Sequence, residues 1–165
     1  MASILNVDKI RATGSTTDAI KILSTGHIPC FQVFMAGNQT IAQGAADTVV
    51  FDANDFLHGW SLANTGILTC SSGSSGIYLI NFRCRINSGT DGNWYGRIMK
   101  NNGNLVGEYM QNEYFEYCNV ATLVSLADGD EIKAVVYQNI ATISNTIGGS
   151  DLGPTCYMYG HRVSG

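Results

Sequence analysis

The sequence predicts an all-β protein: an antiparallel jelly-roll β-sandwich preceded by a short extended N-terminal arm. Three observations support this fold class. Every second residue from Tyr78 to Ile86 is apolar, and no helix can place those five side chains on one face. Glycine is frequent, with 19 residues against two prolines, which is typical of many tight turns. Eight or more short strands separated by turns then follow, as in a sandwich or jelly roll.

Composition narrows the class of protein further. A chain of 165 residues predicts one domain with a short appendage. With 45% hydrophobic and 13% charged residues, it can bury enough apolar surface to fold. A net charge of −4 without any basic run argues against a nucleic-acid partner. The chain has no apolar run of the roughly 20 residues that a membrane helix needs. Residues 1–9 have no apolar h-region, so we expect no secretory leader.

Residues 1–28 differ from the rest and are predicted to form an anchoring arm. Two short strands, 3–10 and 19–23, flank the polar loop 11–18. Two such strands cannot bury their apolar faces alone. We therefore expect the arm to dock on copies of itself or on another protein, the alternative being a floppy terminus. The predicted anchoring side chains are its aliphatic residues: Ile4, Leu5, Val7, Ile10, Ile20 and Ile22.

Pro29 marks the boundary to the head, residues 29–165, because proline restricts the preceding residue and cannot donate to a ladder. The segment 52–58 is expected to be irregular and 139–153 a polar loop. Asn102-Gly103 predicts a β-hairpin, and the turn 128–130 predicts a second one. Strands, some with their turns, are predicted at 30–36, 48–51, 63–70, 76–86, 94–100, 104–110, 119–126, 131–137 and 156–163.

The second face of the central stretch changes character along its length. Ile77 and Leu79 are apolar, whereas Asn81, Arg83 and Arg85 are not. The first half of this strand is therefore expected to be covered on both faces. A sandwich core covers one face, and neighbouring subunits would cover the other.

The order of these signals resembles the globular head of complement component one, subcomponent q, among the tumour-necrosis-factor-like jelly rolls. The likeness covers about residues 30–163, although Met158 stands where an aromatic residue is usual. The N-terminal arm stands in place of a collagen stalk and is similar to the leaders of many bacteriophage virion proteins. The matching elements are Val49–Phe51, Asn64–Thr69, Gly76–Tyr78 with Phe82, Met99–Gly103, Leu123–Leu126 with Gly129 and Asp130, and Gly160.

The resemblance implies a compact homotrimer. We predict that the protein is not an enzyme; a glycan hydrolase, which would need paired carboxylates in a cleft, is the alternative. We expect a phage virion structural protein, a capsid decoration or fibre, made in the host cytoplasm and displayed on the virion surface, with residues 1–28 bound to other virion proteins. The alternative is a tail-fibre tip or adhesin module that binds a glycan or protein receptor on the host surface. Residues expected to divide between the sandwich core and the trimer axis are Phe31, Val33, Tyr78, Ile80, Phe82, Tyr157 and Tyr159.

Aromatic residues supply the predicted ligand contacts. The stretch 109–117 mixes tyrosines with acidic and amide side chains, a composition used in sugar and protein recognition. The same residues could instead pack at the trimer interface. The predicted contacts are Trp94, Tyr95, Tyr109, Tyr114 and Tyr117.

Residues for catalysis or cofactor binding are few. Neither a Gly-x-Ser-x-Gly elbow nor metal-type histidine spacing occurs, so we predict no catalytic residue and no cofactor. The carboxylates of Asp128, Asp130 and Glu131 are candidate calcium ligands, although turn chemistry alone explains them. A second, weaker calcium candidate is the group Asp52, Asn54 and Asp55. The five cysteines, which form no C-x-x-C pair, are predicted to be mostly buried free thiols: Cys30, Cys70, Cys84, Cys118 and Cys156.

Overall fold

The computed structural model describes residues 9–10, 20–21, 28–87, 93–101, 103–111, 117–139, 145–148 and 155–165. Every regular element in these ranges is a β-strand. The strands are β1 (Lys9–Ile10), β2 (Ile20–Lys21), β3 (Cys30–Phe34), β4 (Asn38–Ile41), β5 (Ala46–Thr48), β6 (Ala53–His58), β7 (Trp60–Leu62), β8 (Leu68–Cys70), β9 (Gly76–Asn87), β10 (Asn93–Lys100), β11 (Asn104–Gln111), β12 (Tyr117–Leu126), β13 (Glu131–Asn139), β14 (Asn145–Gly148) and β15 (Tyr157–Ser164).

These strands form two large antiparallel sheets and one small one. The front sheet runs β4-β14-β9-β15-β3-β6, and β12 also pairs with β9. The back sheet runs β11-β10-β13-β8-β7, and β5 also pairs with β13. One cluster of buried hydrophobic side chains, drawn from both sheets, fills the space between them. The predicted fold class, an antiparallel jelly-roll sandwich, is therefore confirmed.

The small sheet lies in the N-terminal arm. β1 pairs with β2, with Lys9 opposite Lys21 and Ile10 opposite Ile20. The two strands fall within the two segments that the sequence predicts to be extended. Four of the predicted anchoring residues lie outside the described residues: Ile4, Leu5, Val7 and Ile22.

The central strand is β9, as its alternating pattern predicts. It pairs with β12 along one edge and with β15 along the other. Its inward side chains are Tyr78, Ile80, Phe82 and Cys84, and each is fully buried. Removing most of such a side chain, as in Phe82→Ala, typically costs about 3–5 kcal/mol.

Glycines make room for buried side chains at two points. Gly160 lies opposite Phe31 on the neighbouring strand, and a Cβ at Gly160 would be 2.7 Å from the phenyl ring. In the back sheet, a Cβ at Gly96 would be 2.5 Å from the Cys118 sulfur. Both distances are too short for a carbon atom, so each position requires glycine for packing rather than for backbone conformation.

The structure confirms one of the two predicted hairpins and contradicts the other. β10 and β11 pair from Trp94 with Gln111 to Lys100 with Asn104, which confirms the hairpin predicted at Asn102-Gly103. The second predicted hairpin is wrong, because β12 pairs with β9 in the front sheet whereas β13 pairs with β10 in the back sheet. The turn 128–130, with Gly129 at φ 84°, therefore carries the chain from one sheet to the other. The same tight turn serves either connection, so turn residues alone cannot distinguish them.

One segment predicted to be irregular is a strand. β6 pairs with β3 at the edge of the front sheet, with Cys30 opposite His58, and a bulge interrupts the register between Gln32 and Val33. Pairing with an existing sheet edge overrides the weak strand propensity of a polar segment. Within the loop predicted at 139–153, β14 likewise pairs with β4 and β9.

Candidate functional site: the outer face of the front sheet

The outer face of the front sheet carries the side chains that alternate with the core. On β9 these are Ile77, Leu79, Asn81, Arg83 and Arg85. The register places side chains of β12 and β15 on either side of each of them. The face is apolar at one end and aromatic and cationic at the other.

The apolar end consists of Ile77, Leu79 and Leu123. Leu79 lies directly opposite Leu123 on β12, so their side chains are neighbours on one face. The exposed fractions are 43% for Ile77, 37% for Leu79 and 64% for Leu123. A cluster of exposed aliphatic side chains on one sheet face is typical of an interaction surface.

The aromatic end is organised by Arg83. Its guanidinium lies over the ring of Tyr117, 4.5 Å from the centroid, and Nη1 donates to the Tyr157 hydroxyl at 3.5 Å. The hydrogen bond to Tyr157 raises the pKa of Arg83, so this side chain is cationic at every relevant pH. Tyr157 in turn stacks on Tyr159, with ring centroids 6.1 Å apart and an interplanar angle of 26°.

A depression adjoins the aromatic end at strands β3, β6 and β15. Its volume is about 710 Å³. The lining side chains are Gln32, Phe34, Asp55, Tyr157 and Tyr159. Gln32 Nε2 donates to Asp55 Oδ2, which connects neighbouring strands across the floor. Depressions of this size, with aromatic walls and a few fixed polar groups, are typical of small-molecule sites.

The residues predicted to divide between core and trimer axis fall into two groups. Phe31, Val33, Tyr78, Ile80 and Phe82 are fully buried in the core. The other two, Tyr157 and Tyr159, lie on the outer face of the front sheet beside the depression.

The predicted ligand contacts are dispersed. Trp94 is 2% exposed and belongs to the core, so this prediction is wrong for a surface contact. The alternating pattern of its strand does not show which of the two faces points into the core. The structure places Trp94 on the inner face, where its large ring is buried. Tyr95 packs against Tyr137 on the back sheet, with centroids 5.2 Å apart. Tyr109 and Tyr117 are exposed, and Tyr114 lies outside the described residues.

The strongest calcium candidates brace the turn between the sheets. Asp128 accepts hydrogen bonds from the backbone N–H groups of Gly73 (2.7 Å) and Ser75 (2.9 Å), and the bond from Gly73 is the main cause that lowers its pKa. Asp130 accepts from Asn101 Nδ2 at 2.6 Å and pairs with Lys100 Nζ at 2.7 Å. Burial opposes ionisation of Asp130, but the Lys100 hydrogen bond and its neighbours prevail and lower its pKa to about 2.

Hydrogen bonds involve the main chain of Glu131 and the carboxylate of Asp52. Glu131 donates its backbone N–H to Asn101 Oδ1 at 2.8 Å, and Asp52 Oδ1 accepts from the Ala36 backbone N–H at 2.7 Å. Asn54 lies on β6, beside Asp55 of the depression. Within the part of the chain that the structure describes, no three His, Cys, Asp or Glu side chains are grouped so that they could hold a metal ion.

The five cysteines are free thiols. Cys70, Cys84, Cys118 and Cys156 are buried, whereas Cys30 is half-buried on the front sheet. Burial raises the pKa of Cys84 and of Cys118, which keeps both thiols protonated. They therefore act as small hydrophobic residues, as the sequence predicts.

Among the described residues, no helix is long and apolar enough to span a membrane.

Comparison with known proteins places the fold. No known sequence family matches the chain, and no curated protein matches it. Solved structures share its architecture, and three of them illustrate the likeness. The globular domain of zebrafish complement 1qA protein aligns at a TM-score of 0.57 and 15% identity, over 82% of this chain and 97% of that one. Murine APRIL at pH 8.0 aligns at a TM-score of 0.62 and 14% identity, over 83% and 100%.

The third structure is the phage PRD1 vertex protein P5. It aligns at a TM-score of 0.62 and 15% identity, over 84% of this chain and 100% of that one. At such identities the likeness concerns the fold alone. It establishes a jelly-roll sandwich of the kind seen in complement 1q and tumour-necrosis-factor-like proteins.

Sequence reasoning missed the depression. The sequence predicts only a strand for Gln32 and Phe34, and only a weak calcium group for Asp55. The signal that could have found them is the pairing of β3 with β6, whose bulge brings Asp55 next to Gln32. That pairing joins residues 19 to 28 positions apart in the chain, and nothing in the polar segment 52–58 indicates it.

Proposed function

We propose that this protein is a non-enzymatic structural component of a phage virion. Its jelly-roll head forms a homotrimer displayed on the particle surface as a capsid decoration or fibre, and residues 1–28 dock it to other virion proteins. The observation that carries this proposal is the apolar end of the front sheet. The shared fold of a phage vertex protein supports the virion assignment.

The apolar end supports association because burying its exposed aliphatic side chains against another copy would be favourable in free energy. Full burial of an aliphatic side chain contributes about 1.5–3 kcal/mol relative to full exposure, and three such residues lie together on each copy. Leu123 is 64% exposed, so much of that free energy remains to be gained. A closed ring of three copies would cover the surface on every subunit.

The test is the mass of the full chain in solution, measured by light scattering over a range of concentrations. The wild type should have three times the chain mass of 17.7 kDa. The double variant Leu79→Lys and Leu123→Lys should be monomeric, because two ammonium groups would have to be buried in each contact. The wild-type melting temperature should also rise with protein concentration, as it does for linked association.

The matched control is Val50→Lys, at an exposed valine beside β5 of the back sheet. This variant should remain a trimer. Circular dichroism should show folded β-structure in all three proteins, which separates loss of association from loss of folding. A wild-type chain that stays monomeric at high concentration would refute the trimer.

The virion assignment is tested separately, by imaging labelled protein on particles of the virus that encodes it. A decoration or fibre protein should lie on the capsid shell, and deletion of residues 1–28 should abolish its incorporation. The alternative function is a tail-fibre tip or adhesin. Labelling confined to the tail, together with particles that assemble without the protein but no longer adsorb, would favour that alternative.

A further inference from the structure

A histidine on β15, His161, adjoins the apolar end of the front sheet. The register places it directly opposite Leu79 on one side and opposite Cys30 on the other. Because Leu79 in turn lies opposite Leu123, these residues form one row across the outer face. Directly opposed residues of neighbouring strands have Cβ atoms about 4.5–5.5 Å apart. A second copy that covers Leu79 and Leu123 would therefore also reach His161, which is exposed in the single chain.

The side chains around His161 supply no negative charge to balance a proton on its ring. Burial raises the pKa of the Cys30 thiol, so that thiol stays neutral in weakly acidic solution. In the register of the described residues, no carboxylate lies opposite or diagonal to His161. Besides two histidines, the charged residues on strands β3, β6, β9, β12 and β15 are Asp55, Arg83, Arg85 and Arg162.

The charged groups nearest in register already have partners. Asp55 lies two strands away on β6 and accepts a hydrogen bond from Gln32. Arg162 follows His161 in the chain and donates through Nη1 to the Ser75 carbonyl at 3.2 Å. A positive charge on His161 would therefore depend on water for its stabilisation.

We propose that protonation of His161 in weakly acidic solution dissociates the homotrimer. This inference rests on the proposed association through the apolar end and names a condition that controls it. A neutral imidazole beside an aliphatic side chain is covered at little cost when its N–H group is hydrogen-bonded. An imidazolium covered there loses hydration that no opposite charge on its own copy replaces. In a closed ring of three copies this cost arises three times.

The pH range that matters lies between about pH 7.5 and pH 5.5, where histidine is the side chain that ordinarily changes its charge. Carboxylates titrate at lower pH. The other histidines are His27 in the arm and His58 on β6. His58 lies in the same row, opposite Cys30, and its ring stacks on Phe56 with centroids 6.0 Å apart. Two strands separate His58 from Leu79, so it provides a matched control.

The test measures the mass of the full chain by light scattering at pH 7.5 and pH 5.5, over a range of concentrations and at constant ionic strength. The concentration at which half of the wild-type trimer dissociates should rise by about tenfold or more at pH 5.5. In His161→Gln, which cannot take up a proton, this ratio should fall below about twofold, whatever the affinity at pH 7.5. His161→Lys is charged at both pH values, so it should dissociate more readily than the wild type at pH 7.5.

The control variant His58→Gln should keep the wild-type ratio between the two pH values. Circular dichroism at pH 5.5 should show folded β-structure in every protein, which separates dissociation from unfolding. If His161→Gln keeps the wild-type ratio, or if His58→Gln abolishes it, the proposed role of His161 is wrong.

The mass at each pH distinguishes this inference from the proposed function. A wild type that is a trimer at pH 7.5 and dissociates no more readily at pH 5.5 would retain the trimer and refute the pH control. A wild type that stays monomeric at pH 7.5 at every concentration would refute the trimer, and the inference with it.

Discussion

The outer faces of the two sheets differ, although both alternate with the same core. On the back sheet, Arg97 pairs with Glu108, and Tyr95 packs against Tyr137. In each of these two pairs, the side chains contact one another. On the front sheet, Leu79 and Leu123 lie side by side and exposed, and Arg83 contacts tyrosines.

This difference shows what strand alternation can and cannot specify. A period of two decides which side chains point into the sandwich, and it does so equally well in β9 and β13. It does not decide what the outward side chains meet. That depends on the neighbouring strands, and in the proposed trimer on other copies of the chain.

The largest expected effect tests whether the inward faces are equivalent. Gly160→Val in the front sheet and Gly96→Val in the back sheet should each destabilise the fold by about 3 kcal/mol or more, because both overpack the core. The new carbon atoms would be 2.7 Å from the Phe31 ring and 2.5 Å from the Cys118 sulfur. Urea unfolding followed by circular dichroism measures both changes.

Gly37→Ala is the control for this pair of variants. The nearest atom to a Cβ at Gly37 is Asp52 Oδ2 at 3.9 Å, an ordinary contact. The control should unfold close to the wild-type urea concentration. If either valine variant unfolds at the wild-type urea concentration, the core is loosely packed on that side. The inner faces of the two sheets would then not be equivalent.

The fold could be predicted largely because its strongest signals are local. The alternation from Tyr78 to Cys84 and the hairpin at 101–103 depend on residues close in sequence. The pairing of β6 with β3 and the crossing at 128–130 could not be predicted, because each depends on which distant strand is adjacent.

The candidate site was accessible to sequence reasoning only in part. The apolar residues Ile77 and Leu79 opposite the core face indicated an additional covered surface, and both lie on the exposed outer face. The sequence does not predict that Leu123 lies on this surface, since its place beside Leu79 depends on the register of β12. The prediction for Trp94 is wrong because a large aromatic residue in a strand fits a core and a binding surface equally well.

A moderate effect is expected at the turn that joins the front sheet to the back sheet. The pKa of Asp130 is lowered from 3.8 to about 2 in the folded protein. Its carboxylate therefore stabilises the fold above about pH 4, and that contribution is lost as the pH falls toward 2. With solvent screening allowed for, the contribution is about 1 kcal/mol.

Asp130→Asn should remove this dependence. The difference in unfolding free energy between wild type and variant should be constant near neutral pH and shrink between pH 4 and pH 2. Asp47→Asn, on β5 and away from the turn, serves as the control. A gap that stays constant down to pH 2 would mean that Lys100 and Asn101 do not hold the Asp130 carboxylate in solution.

The smallest expected effect concerns the ion pair on the outer face of the back sheet. Arg97 and Glu108 are each about a third exposed. Glu108→Gln should therefore lower the unfolding free energy by about 0.2–1 kcal/mol, and the loss should decrease in high salt. The variant should also leave the mass in solution unchanged, because the back face is not the proposed interface. A change in mass would show that copies also meet through the back sheet, and the contrast between the two outer faces would no longer identify the surface of association.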